Sequence, residues 1–325
     1  MRAVVLRQFG PPENLRLETV PDPVPGPGQV RIAVRAAGVH QIETAMREGL
    51  PIGPPLPELP AVFGGEVAGV VESAGPGVDP SWVGARVVTA HSAPGGYAEL
   101  TVADVADLHR IPDGLGHEAA VAMVVTGTTT VGLLDAAALT REDVLVVTSA
   151  AGGIGYLALQ FARRIGTTVI GAAGGPAKTA AVRELGVDLA VDYDRPDWPD
   201  VVRGALGDRV TVVLDGVEGE KGRAAFGLLV RGGRYLSIGA SSREEFRPDE
   251  AELRERGVSF TDALALMLEG GQDARTDQAR ALAAAADGTV TPSLHAFPLS
   301  RAGAAHAAIA ARATTGKVVL VPDGV

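Results

Sequence analysis

The chain has 325 residues and a formal net charge of −10, from 39 Asp plus Glu against 29 Lys plus Arg. Hydrophobic residues make up 46% and charged residues 21%, which fits a globular protein with a substantial core in one large domain or two ordinary ones. The absence of cysteine excludes disulfides, thiol catalysis, iron–sulfur ligation and Cys-ligated zinc, and the acidic balance argues against a nucleic-acid or anionic-membrane partner.

The opening apolar patch, residues 3–6 between Arg2 and Arg7, is too short for a signal peptide and reads as a strand. Residues 15–20 and 30–35 alternate partly with period two and read as further strands. Between them Pro21, Pro23, Pro25 and Pro27 make a connecting loop. Residues 66–72 and 86–89 are strand candidates, with Gly64, Gly65, Gly75, Gly77 and Gly84 marking turns. Short strands with frequent turns suggest a small barrel or sandwich.

After Glu118 the rhythm changes. Residues 119–134 are mostly small and apolar and predict a helix. Strands are then expected at 144–148, 167–171, 190–193, 210–214 and 234–238, with helices at 178–185, 198–206 and 221–229 between the later ones. Ile154, Leu157, Ala158, Phe161 and Ile165 share one face of a further helix, and Gly166 is placed to cap it. This alternation predicts a doubly wound parallel sheet. The tail adds helices at 276–286 and after Ser300, and a strand at 318–321. Residues 144–162 carry no formal charge and have the length of a membrane span. Three glycines interrupt them, so a strand, a turn and a helix are expected and no membrane helix.

That turn is the most informative segment. Gly152, Gly153 and Gly155 follow a β-branched strand and open a helix, the context in which backbone N–H groups and the helix dipole bind a pyrophosphate. The alternative is a glycine turn that serves only tight helix–strand packing. An acidic residue at the end of the second strand would bind a ribose 2′-hydroxyl, but residues 169–178 contain none and end in Lys178. A cation there attracts a 2′-phosphate, which favours NADPH; the alternative is an ordinary solvated lysine.

Residues 1–6, 25–31, 35–40, 64–71, 149–155, 191–193 and 313–320 together carry a resemblance. Across essentially its full length the chain resembles the zinc-independent quinone oxidoreductases of the medium-chain dehydrogenase/reductase superfamily, with Ser149 where Ala is usual. The resemblance implies an α/β plus β fold. A GroES-like, barrel-type catalytic domain would come from residues 1–118 and 265–325, with a Rossmann NADP-binding domain inserted at 119–264. It also implies cofactor positions. Gly152, Gly153 and Ile154 would hold the pyrophosphate. Lys178 and Tyr193 would line the 2′-phosphate pocket, and Gly174 is a further cofactor position. Val217, Gly239, Ala240 and Ser241 would lie along the nicotinamide half, and Arg312 would reach the cofactor from the tail.

The zinc-dependent relatives use Cys, His and Cys on the catalytic metal. Here His40 and Gly65 stand at the first two positions, residues 122–127 offer no third ligand, and the four-Cys lobe is absent. One His plus one carboxylate does not complete a catalytic zinc site, so no metal is expected. Without a Lewis acid the natural substrate is already electron-poor and conjugated: a quinone or another α,β-unsaturated carbonyl. Nicotinamide supplies the hydride and the protein supplies orientation.

The chain departs from the family at His40, where Asn is common, and at Ala45, where some members carry Tyr. His40 is a candidate donor to the developing oxyanion; the alternative is that it orients the nicotinamide or fills space. Thr44 and Thr126 are further polar candidates. An enoyl or alkenal double-bond reductase is the second reading, and a non-catalytic, crystallin-like nucleotide-binding protein is a third of another class. A small electrophilic substrate, a cytoplasmic location and a homodimer are expected, the last with residues 234–240 and 258–264 as candidate pairing edges.

Overall fold

The computed structural model describes residues 1–51, 55–91, 95–263, 265 and 274–324. The chain divides into two units: residues 1–126, 281–288 and 292–325 in one, and residues 127–280 and 289–291 in the other. The divisions fall at 126/127 and 280/281, later in the chain than the expected 118/119 and 264/265.

The first unit begins with β1 (Arg2–Leu6), β2 (Leu15–Thr19) and the long β3 (Gln29–Val39). Helix α1 (Gln41–Glu48) follows directly, then β4 (Ala61–Val62), β5 (Val67–Ala74), β6 (Arg86–Thr89), β7 (Leu100–Asp104) and β8 (His109–Arg110). Among the described residues β2, β1 and β4 form a three-stranded sheet. β3 is the hub of the larger one. Val30, Ile32, Val34 and Ala36 alternate inward, and the strand pairs antiparallel with both β5 and β7.

Helix α2 (His117–Ala122) runs through a π-helical stretch, Met123–Gly127, into α3 (Thr128–Ala137). A single helix was expected here. Together these form, among the described residues, the one helix long and apolar enough to cross a membrane, and 67% of its apolar window is buried inside the protein.

The second unit carries β9 (Val144–Val147), α4 (Gly153–Ile165), β10 (Thr168–Ala173), α5 (Pro176–Glu184), β11 (Leu189–Asp192) and α6 (Trp198–Leu206). It continues with β12 (Val210–Asp215), α7 (Gly219–Phe226), β13 (Leu229–Ser237), α8 (Glu250–Arg256) and β14 (Ser259–Asp262). The strands are parallel in the order β11-β10-β9-β12-β13-β14. This is the doubly wound order 3-2-1-4-5-6, with its switch point between β9 and β12. β9 is buried along its whole length, as a central parallel strand must be. Gly166 ends α4 with φ 91°, the left-handed cap its position predicts.

The sheet corrects one expectation. Residues 234–237 lie inside β13, hydrogen-bonded on both sides to β12 and β14, so they cannot pair across a dimer axis. Of the other candidate segment, Ser259–Asp262 is the edge strand, and Leu264 lies outside the described residues.

Helix α9 (Ala274–Ala286) leads back to the first unit, which closes with β15 (Leu294–Pro298), α10 (Ala302–Ala310) and β16 (Lys317–Val321). β16 pairs with β15 and lays Val318, Val319 and Leu320 against Val39, Gly38 and Ala37 of β3. The last strand of the chain thus joins the sheet built on β3.

Candidate functional site

The candidate cofactor residues of the second unit lie on loops that leave the carboxyl edge of the parallel sheet after β9, β10, β12 and β13. The first runs from β9 to α4. Ser149 turns the chain with φ 53°, and Gly152 is the N-cap of α4. A Cβ on Gly155 would stand 2.5 Å from the Ser149 carbonyl oxygen, so only glycine lets helix and strand approach this closely. No side chain caps α4. Its first-turn N–H groups at Gly153 and Ile154 are therefore offered to an anion. This loop fits a dinucleotide pyrophosphate.

The second loop, after β10, contains Gly174 and Gly175. The Asp192 carboxylate at the end of β11 accepts hydrogen bonds from Gly175 N (2.8 Å) and Asp194 N (3.0 Å). It is thereby spent inside the turn, and no carboxylate ends β10. Lys178 sits in the first turn of α5, and Tyr193 lies directly against Gly174. This set fits a 2′-phosphate better than a ribose hydroxyl.

The third loop follows β12 and is fixed by buried Asp215. Its Oδ1 accepts from Val217 N (3.0 Å) and from the Thr148 hydroxyl. Its Oδ2 accepts from Glu218 N (3.0 Å) and from the Tyr235 hydroxyl. Burial, and then the Asp215 carboxylate, push the Tyr235 phenol up, so it remains a donor. Val217 is 1% exposed, its N–H is given to Asp215 and its carbonyl accepts from Ser242 N at 3.0 Å, so the residue is fixed in the loop through its backbone. Gly239, Ala240 and Ser241 follow β13, and Ser241 N donates to Gly216 O at 3.2 Å. Arg312 follows α10 in the first unit, with φ 54°.

In the first unit, His40 heads α1 and its ring is held by a charged pair. Nε2 is 3.0 Å from Glu66 Oε1, and both ring nitrogens lie 3.2–3.4 Å from Lys317 Nζ. Lys317 Nζ also contacts Glu66 Oε1. Burial alone would raise the Glu66 carboxyl, but the neighbouring His40 and Lys317 outweigh it and hold it at about 2. Neither Glu66 oxygen receives a well-aligned hydrogen bond, so charge holds the group together. Space for the carboxylate comes from Gly38, where a Cβ would fall 1.7 Å from Glu66 Oε1.

Beneath this lies a second buried network. Glu43 Oε2 accepts from His40 N and from the Tyr97 hydroxyl, each at 2.8 Å, and Oε1 accepts from Gly64 N at 3.0 Å. Since Tyr97 donates to Glu43, its oxygen accepts from His306 Nε2 at 3.1 Å. Burial, then the Arg47 guanidinium, push the His306 imidazole down to about 3, so it is neutral. The network clamps the backbone of His40. Thr44 spends its hydroxyl on Gln41 O at 2.7 Å within α1. Thr126 is 8% exposed in the π-helical stretch.

Glu43, Tyr97, His306 and Lys317 are the residues that sequence reasoning missed. Nothing local signals them. Glu66 borders β5 and Lys317 begins β16, and only the pairing of both strands with β3 brings them together. His40 and Glu66 give two donors, and the third group beside them is an ammonium. This set does not fit a catalytic zinc, which needs three protein ligands and no cation among them.

Residues 26–113 match the family described as alcohol dehydrogenase GroES-like domain, and residues 185–320 match that described as zinc-binding dehydrogenase. A 2-haloacrylate reductase from Burkholderia sp is 32% identical, covering 99% of each chain. A quinone oxidoreductase from Pseudomonas aeruginosa is 32% identical, covering 97% of each. The solved structure of mycobacterial Rv1454c complexed with NADPH is similar with a TM-score of 0.86 at 32% identity, covering 99% of this chain and 100% of that one.

Proposed function

The chain belongs to the zinc-independent quinone oxidoreductases of the medium-chain dehydrogenase/reductase superfamily, and from that we propose an NADPH-dependent reductase of quinones or related α,β-unsaturated carbonyls. One observation carries the reading: an uncapped helix and a glycine turn at the carboxyl edge of β9, beside a second strand, β10, that ends in no carboxylate of its own.

When bound, NADPH supplies a hydride to an electron-poor carbon of the substrate. The N–H groups of Gly153 and Ile154 hold the pyrophosphate, and Lys178 with Tyr193 binds the 2′-phosphate. The Asp215 network keeps the loop from Gly216 to Glu218 rigid. In the first unit both ring nitrogens of His40 are turned to Glu66 and Lys317, which supports an orienting role for His40 over that of a proton donor. The proton that completes the reduction then comes from water. A homodimer formed through the edge strand β14 and a cytoplasmic location complete the proposal.

A second reading, reduction of an activated carbon–carbon double bond, is supported by the likeness to 2-haloacrylate reductase. A screen of NADPH and NADH against quinones, alkenals, 2-haloacrylates and enoyl thioesters separates the two. Failure to bind NADPH in a fluorescence titration would instead support a non-catalytic protein.

A further inference from the structure

Tyr193 does not stand alone beside the second-strand turn. A Cβ on Gly174 would lie 3.0 Å from Tyr193 Cε2 and 2.9 Å from Asp194 Oδ2, so both side chains rest against the turn where dinucleotide specificity is read. The carboxylate of Asp194 is unfavourable there, because it repels a 2′-phosphate. Its charge is met by Lys221, from the first turn of α7. The Lys221 ammonium pairs with Asp194 and lies over the Tyr193 ring, 4.2 Å from its centroid. One cation thus neutralises the adverse charge and anchors the aromatic ring. Lys221 is 28% exposed, sheltered enough to hold its place but open to a ligand's charge.

We propose that Lys221 is a specificity-determining residue for NADPH over NADH, through its contacts with Asp194 and Tyr193 beside the Gly174 turn. This rests on the reading of the second unit as an NADPH site. Without Lys221, the Asp194 carboxylate is uncompensated beside the 2′-phosphate and the Tyr193 ring loses its anchor. Both effects weaken NADPH and leave NADH almost untouched, since NADH carries a hydroxyl at that position.

The test is equilibrium binding of NADPH and NADH to the full-length protein, followed by fluorescence, for the native chain and for Lys221→Met, Lys221→Arg and Lys221→Met combined with Asp194→Asn. Thermal melting of each variant checks that it is folded. Lys221→Met is expected to weaken NADPH about tenfold, the effect of losing one sheltered cation, and NADH less than about twofold. Lys221→Arg should keep the preference, and Asp194→Asn should return most of the NADPH affinity to the Lys221→Met protein. If the native chain prefers NADPH and Lys221→Met weakens both cofactors equally, or neither, the role of Lys221 is refuted and the NADPH reading stands. If the native chain shows no preference for NADPH, the reading itself falls and this inference falls with it.

Discussion

Lys317 and Glu66 form an ion pair closed to solvent, the lysine 6% and the glutamate 0% exposed in their side chains. An isolated charge at either position would be costly to bury. Lys317→Met breaks the buried pair and leaves the carboxylate with His40 alone, so it should cost about 3 kcal/mol in urea unfolding. Glu66→Gln combined with Lys317→Met should cost clearly less than the sum of the two single variants. Simple additivity would show that the pair is not coupled.

His306 and Glu66 each add to the response to acid, in different pH windows. His306 lies at about 3 when folded against an ordinary 6.5. The unfolded chain therefore binds its proton first, and stability falls as pH drops from about 6.5 towards 3, by about 1.4 kcal/mol per pH unit for one proton. Glu66 lies at about 2 against 4.5, so its contribution is complete above pH 4.5 and is lost between there and pH 2. Burial, then Arg86, also lower His117, which adds to the upper window. Unfolding measured at pH 6.5 and pH 5 should show a loss in the native protein and a smaller loss in His306→Gln.

Gly38→Ala is expected to be severe for a substitution of one methyl group. The new Cβ would overlap Glu66 Oε1, and the carboxylate has no solvent to retreat into. Destabilisation of about 1–3 kcal/mol is expected, as for an overpacked core site. The same change in a Glu66→Ala background should cost less, which denaturant midpoints will report.

His40→Ala separates orientation from acid catalysis. A general acid contributes about a hundredfold or more to turnover. With both ring nitrogens committed to Glu66 and Lys317, kcat with the best substrate should stay within about tenfold of the native value and KM should rise. A kcat loss beyond about a hundredfold would return the proton-donor role to His40.

The second unit was the more legible half. Its chemistry is local: a strand, a glycine turn and a helix adjoin in sequence, and Gly152, Gly155 and Gly166 act through their own backbone. The first unit hid more. Helix α1 was not anticipated, because the positions it buries are the polar Glu43, Thr44 and Arg47, the last a residue normally on the surface and here 1% exposed. β15 was missed because its buried face is weak, with Leu294, Ala296 and Pro298 all turned to solvent. His40 was identifiable from its motif, but its partners were not. Glu66 and Lys317 meet it through strand pairing across the whole chain, and Lys221 meets Tyr193 only because α7 starts at the carboxyl edge, where β11 also ends. Of the two candidate edges, 234–240 and 258–264, the sequence did not show which lies outermost; only the pairing of β13 with both β12 and β14 decides it.

The most direct measurement is NADPH oxidation by chelator-treated protein with a panel of quinones and α,β-unsaturated carbonyls, with NADH alongside. Sustained turnover of at least one such substrate, faster with NADPH than with NADH and unchanged by added zinc, is the expected result. Turnover that requires zinc, or a clear preference for NADH, would contradict it.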